Sequence, residues 1–310
     1  MIRLYLLIAT ISWFQILSAQ KNNIKFIDLP DDFNTELEIS GMIGHENSLY
    51  LVSEREKIIY QISMLDYSIT SSIDLRKPIR TYNSKKHENE IDIRGIEMEG
   101  LSWYKNQLLF VDEGNTAIYR YDLDEETISK IKTNLDLSDF NGDFGMEGIA
   151  VNKDKKLVYI LRERNGNNQS EIYTLKMSPD KSFKYYNQKY IIDHKDNNWR
   201  YSDIYYDSQE NIIYALRSYY NKKDPEAAKC YIDKIPVNKK GIIDGPIDFN
   251  EDEMLSNLVV KNRCKYVSNL EGIYKTGNKV FIVSDNARST KKCDSKPIKT
   301  MFIEYTFNKL

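Results

Sequence analysis

Five segments of this chain repeat one pattern: a short strand, a polar turn, and an apolar strand ending in charged residues. The pairs are Glu38–Met42 with Ser48–Arg55, Met98–Ser102 with Gln107–Gly114, Met146–Ala150 with Leu157–Arg164, Ser202–Tyr206 with Ile212–Ser218, and Leu270–Tyr274 with Lys279–Asn286. A repeat of this kind governs the whole fold, because one unit cannot bury its own apolar face and must stack on its neighbours. Third strands are expected at Ile58–Ile62, Ala117–Tyr121, Glu171–Leu175, Ala228–Ile232 and Thr300–Tyr305. Fourth strands are expected at Ile69–Leu75, Ile128–Thr133, Lys184–Ile191 and Leu258–Val267. All are rich in Val, Ile and Tyr and bounded by Gly, Asn and Asp, the signature of short strands.

Four antiparallel strands repeated around an axis describe an all-β propeller. The count is five blades, or six if a degenerate unit is present. The fifth unit runs out of chain before a fourth strand, and Ile24–Leu29 is a spare strand that fits that place and closes the ring. Insertions near 77–95, 194–200 and 238–256 lengthen the repeat, and no composition break divides residues 20–310 into two domains. The 23 tyrosines suit this class, since aromatic side chains pack well on a pleated surface.

A net charge of −2 with 29% charged residues gives no basic field for nucleic acid. Residues 4–18 are an apolar run behind Arg3 and ahead of Ala19, which reads as a secretory leader cleaved after Ala19. An uncleaved anchor is the alternative. The expected location is therefore periplasmic or secreted, with no membrane contact after cleavage. Of the three cysteines, Cys264 and Cys293 flank the last repeat and are the expected disulfide pair, with Cys230 outside it.

In a propeller the first strand of each blade lines the channel, and its start opens on the same face as the end of the second strand. The repeat thus gathers two sets of side chains at one mouth. Ser40, Glu99, Glu147, Asp203 and Glu271 form the first, and Glu54, Glu113, Glu163, Ser218 and Asp285 the second. Facing carboxylates repel unless something positive lies between them. Oxygen donors suit a hard cation, Ca²⁺ first, and Glu99, Glu147, Asp203, Glu271 and Asp285 are the expected ligands. The other reading is that the Glu-Gly pairs only hydrogen-bond neighbouring blades. Arg55, Arg162, Arg164, Arg217 and Arg288 follow the second strands and are candidates to grip an anionic substrate, or else to pair with nearby Glu. Glu113 and Glu163 are the candidate catalytic bases. The three histidines fall outside these columns, and no Gly-x-Ser-x-Gly elbow or phosphate-binding glycine loop occurs.

The order of Met98-Glu-Gly-Leu-Ser, Phe110-Val-Asp-Glu-Gly, Leu137–Ala150, Ser202-Asp-Ile, Asn269-Leu-Glu-Gly-Ile and Val283-Ser-Asp-Asn resembles the phytase-like esterase family, described as "esterase-like activity of phytase". More distantly the layout is similar to calcium-containing propellers of the gluconolactonase and alkaline-phytase kinds. A propeller family regulated by quorum sensing has similar Glu-Gly repeats. The resemblance implies a secreted propeller with phosphoester or carboxylester hydrolysis; the expected partner is a small anionic or ester substrate, and the expected state is a monomer. A non-catalytic propeller binding a ligand or envelope partner, with a structural calcium, is the competing reading.

Overall fold

The computed structural model describes residues 24–27, 29–30, 37–54, 56–85, 90–140, 145–221, 223–224, 227–249, 269–285 and 300–307, with short stretches at 292–293 and 296–297. The leader, its cleavage point, Arg55, Arg288, Cys264 and the expected strand Leu258–Val267 lie outside the described residues.

An N-terminal strand, β1 (Ile24–Ile27), precedes five successive antiparallel units. Blade one is β2 (Ile39–His45), β3 (Ser48–Ser53), β4 (Ile58–Ser63) and β5 (Ile69–Asp74). A short helix, α1 (Arg76–Ser84), then occupies the first insertion and buries Ile79 between blades one and two. Blade two is β6 (Met98–Tyr104), β7 (Gln107–Asp112), β8 (Ala117–Asp122) and β9 (Thr127–Lys130). Blade three is β10 (Met146–Asn152), β11 (Leu157–Arg162), β12 (Gln169–Met177) and β13 (Phe183–Asp193). Among the described residues blade four has β14 (Trp199–Asp207), β15 (Ile212–Tyr219) and β16 (Lys229–Pro236). Blade five begins with β17 (Asn269–Thr276) and β18 (Lys279–Asp285). A two-residue ladder of β19 (Lys292–Cys293) and β20 (Lys296–Pro297) separates these from β21 (Phe302–Thr306). The outer place of blade five is taken by β1, which pairs antiparallel with β21 from Ile24↔Tyr305 to Ile27↔Phe302.

The first strands lie side by side in the order β2, β6, β10, β14, β17, and β17 returns against β2, so the ring is complete with five blades. Its core is divided accordingly. Five apolar clusters fill the gaps between adjacent blades, one of them joining Leu109 and Val111 of blade two to Ile149 and Ile160 of blade three. Burial of such side chains contributes roughly 1.5–3 kcal/mol each. Because every cluster draws on two blades, no blade is apolar-saturated alone.

Each first strand carries a one-residue bulge near its start. Pairing jumps from Ile39 to Gly41, Met98 to Leu101, Met146 to Gly148, Tyr201 to Asp203 and Leu270 to Gly272. A bulge bends the strand and re-aims the extra side chain. The glycine that follows permits close strand approach: a Cβ on Gly100 would stand 2.5 Å from the Cα of Gly148 in the next blade.

An acidic channel mouth

The bulges fix which side chains reach the channel end. Met146 pairs with Arg162 as Tyr201 pairs with Arg217, so Glu147 corresponds to Ser202 and Gly148 corresponds to Asp203. The bulge column is therefore Ser40, Glu99, Glu147, Ser202 and Glu271. Asp203, expected in that column, stands one place further along in the position that glycine holds in the other blades. It is fully buried, and its two oxygens accept the backbone N–H groups of Ile204 at 2.8 Å and Ile273 at 2.9 Å. Its carboxylate thus fastens blade four to blade five beneath the mouth.

The second expected column is where the repeat put it. Glu54, Glu113 and Glu163 follow β3, β7 and β11, and their backbone N–H groups bond to the carbonyls of Glu38, Glu97 and Gly145. Ser218 pairs across with Arg200, and Asp285 with Asn269. These partners define a third column at the very start of the first strands: Glu38, Glu97, Gly145, Arg200 and Asn269. Gly145 leaves room for the Glu113 side chain, whose Oε1 and Cγ a Cβ there would strike.

Arg200 is a cation that ties this mouth together. Its Nη1 donates to Glu163 Oε1 at 2.6 Å and its Nη2 to Glu271 Oε1 at 3.1 Å, with Nε 3.4 Å from Ser218 Oγ. One guanidinium thus joins blades three, four and five. Glu163 is also 3.5 Å from Arg164 Nε. Glu271 Oε2, in contrast, is buried and has no hydrogen-bond partner among the described residues.

Burial and mutual repulsion raise the carboxyls. Burial first, then Glu163, Glu97 and Glu54, pushes Glu113 up to about 8. Glu54 is pushed up to about 7 by burial, Glu38, Asp285 and Glu97, against a lowering influence of Lys57. Glu271 stands at about 8, burial and the acids Asp285, Glu163 and Glu54 outweighing Arg200. Glu99 and Glu147 are held well above the usual carboxylate range by burial and by acids of other blades, Glu54 and Glu271 for the first, Glu163 and Glu99 for the second. Acids from four blades therefore share one field. As they stand, no three His, Cys, Asp or Glu groups among the described residues come together closely enough to hold a metal ion.

The expected anion-gripping arginines fall in different places. Arg162 donates to Glu171 Oε2 at 3.1 Å and to the Asp139 carbonyl at 2.6 Å, and lies over Phe140. Arg217 donates to Asp233 Oδ2 at 2.6 Å and is enclosed by Trp199 and Tyr231. Both bond acids of their own blades' third strands. Arg164 lies nearer the mouth, its Nε within ion-pair distance of Glu163 at 3.5 Å, and its Nη1 donates to the Asn197 carbonyl at 2.5 Å. Burial, with Arg217 and Arg164, holds His194 down to about 4, and its Nε2 lies 2.7 Å from Ser170 Oγ.

Sequence reasoning missed Arg200, Glu38 and Glu97. The signal was present, since Arg200 precedes Ser202 by the same two residues that separate Glu97 from Glu99 and Glu38 from Ser40.

Fold and mouth together define a five-bladed β-propeller whose channel ends in a ring of interacting carboxylates. The chain belongs to the phytase-like family described as "esterase-like activity of phytase", whose family model matches residues 38–287, well over half its length. A search of curated proteins gives no match. Among solved structures it is similar to a luciferin-regenerating enzyme (10% identity, covering 92% of this chain and 95% of that one, TM-score 0.47). It is also similar to the nidogen/laminin complex (13%, 84% and 79%, 0.45) and to the glutaminyl cyclase of Myxococcus xanthus (10%, 92% and 97%, 0.44).

Proposed function

We propose that the acidic mouth is a hydrolytic site for a small phosphoester or carboxylester, working with a hard divalent cation, Ca²⁺ first. The observation that carries this reading is the buried Glu271 Oε2, which no donor among the described residues satisfies and which feels the charge of Asp285, Glu163 and Glu54. Carboxyls that repulsion and burial hold protonated would give up those protons to a divalent ion, and an all-oxygen donor set suits Ca²⁺ in kind. Glu99, Glu147 and Glu271, with Asp285, are the residues that would hold it, and they would have to close in on the ion from their present spacing. Asp203 is spoken for by two backbone N–H groups and stays out of that set. When bound, the ion polarises a phosphoryl or carbonyl oxygen.

The chain's own groups divide the remaining work. Arg200, with Arg164 beside it, is placed to orient the anionic part of a substrate at the Glu163 side of the mouth. Glu163, paired with Arg200 Nη1 at 2.6 Å, is held in place as a positioning group. Glu113, raised to about 8, carries its proton at neutral pH and is suited to deliver it to a leaving oxygen.

A second reading rests on Arg200 itself. A guanidinium that already neutralises Glu163 and Glu271 suits a ligand-binding propeller without catalysis, any calcium being structural. Hydrolysis of p-nitrophenyl phosphate and p-nitrophenyl acetate, measured with Ca²⁺ and with chelator, separates the two. Turnover that needs Ca²⁺ and is lost in Glu147→Gln supports the hydrolase. No turnover of either ester with Ca²⁺ present overturns it in favour of the binding module.

A further inference from the structure

The opposite end of the channel is built from different chemistry. There the first strands finish and turn back, and a cleft of about 300 Å³ opens between residues of all five blades. Its walls are aromatic: His45, Trp103, Tyr205, Tyr206 and Tyr274 all line it. The His45 imidazole lies flat on the Trp103 indole, with ring centroids 3.8 Å apart and 14° between planes. Trp103 is buried beneath it, whereas the His45 side chain is 35% exposed. Tyr274 crosses Tyr205 edge-on at 5.2 Å and 83°, and its ring lies where a side chain on residue 44 would be, which Gly44 avoids. Around these rings stand Ser102 and Ser208, the cation Lys153, and the acids Glu46 and Asp154.

We propose that this cleft binds one neutral pyranose ring, independently of the acidic mouth. The size sets the first limit, since 300 Å³ is at the small end of ligand clefts and takes a single ring. The mixture of polar groups sets the second. Lys153, Glu46 and Asp154 stand exposed at the rim, where a purely aromatic ligand would offer them no hydrogen bond. An anion would meet Glu46 and Asp154, and a cation would meet Lys153. A ring whose hydroxyls both donate and accept satisfies serine, lysine and carboxylate together, while its C–H face covers the imidazole. Burial and Lys153 outweigh Glu46 at His45 and lower its pKa, which keeps that face uncharged.

Methyl β-glucopyranoside and methyl β-galactopyranoside are the probes, followed by saturation-transfer NMR and by the emission of Trp103. Trp199 is the other tryptophan of the described residues, and it packs on Tyr219 in blade four. Binding of at least one glycoside is expected near a millimolar Kd, about −4 kcal/mol. His45→Ala and Lys153→Ala should each weaken it about tenfold with unchanged melting curves, and Glu99→Gln should leave it unaltered. No saturation of either glycoside at about 50 mM overturns the proposal. So does binding that survives the His45→Ala/Lys153→Ala pair, or a preference for phenol or galacturonate over both neutral glycosides.

Discussion

Arg200 in blade four donates to Glu163 in blade three at 2.6 Å, across the boundary between two blades. The guanidinium offsets charge that would otherwise hold the blades apart, and truncating one partner of such a pair strands the other. Arg200→Leu is expected to lower unfolding free energy by about 3 kcal/mol at neutral pH. Added Ca²⁺ should restore part of that loss. Urea denaturation is the measurement, and a loss below about 0.5 kcal/mol would mean that the contact is no more than a surface pair.

Stability in the absence of divalent metal should fall as pH rises from about 4.5 to about 8. In the folded chain Glu113 and Glu271 titrate near 8 and Glu54 near 7, against 4.5 ordinarily. Between those values the native state keeps protons that the unfolded chain has released, so the slope of stability against pH is negative. Their stabilising contribution is complete below 4.5 and is lost as pH passes the folded values. Urea midpoints taken in chelator at about pH 5 and about pH 8 give the answer; a higher midpoint at the upper pH would refute the protonated cluster.

Metal removal gives the third prediction. An ion bound only by the native state adds roughly 2.7 kcal/mol at a hundredfold excess over Kd. Chelator should therefore lower Tm and Ca²⁺ should recover it, with Glu147→Gln blunting the recovery. If Tm is the same in chelator and Ca²⁺, the carboxylates hold no ion.

Asp203 supplies a contrasting case. Asp203→Ala leaves the backbone N–H groups of Ile204 and Ile273 without an acceptor, a loss of about 1–3 kcal/mol for each buried donor. The Tm difference between Ca²⁺ and chelator should nevertheless match that of the wild-type chain. A variant of ordinary stability that loses its Ca²⁺ response would return Asp203 to the ligand set.

The blades were legible because Val, Ile and Tyr at strand spacing recur with short polar turns, and each level of pattern agrees with the others. The columns at the mouth were legible only in part. Aligning acid with acid set Asp203 beside Glu147, whereas the pairing of Tyr201 with Arg217 places Ser202 there. A bulge adds one residue, and sequence alone does not mark which of two polar neighbours is extra. Arg200 escaped notice for a related reason: it carries the opposite sign in a column recognised by its acids. Arg162 and Arg217 looked alike with the mouth arginines until their partners Glu171 and Asp233 appeared on third strands.

The pairing of β1 with β21 has a bearing on when the molecule becomes competent. Ile24 meets Tyr305, so the earliest described residues of the fold wait for nearly the last. Contacts so distant along the chain form late. The blade that waits is the one presenting Glu271 and Asp285. Until it docks, Arg200 lacks Glu271 as a partner, and the acids of blades one and two lack the repulsion of Glu271 and Asp285. The electrostatic tension of the mouth is thus a product of final assembly, and a half-emerged chain would be blind to whatever the finished ring recognises.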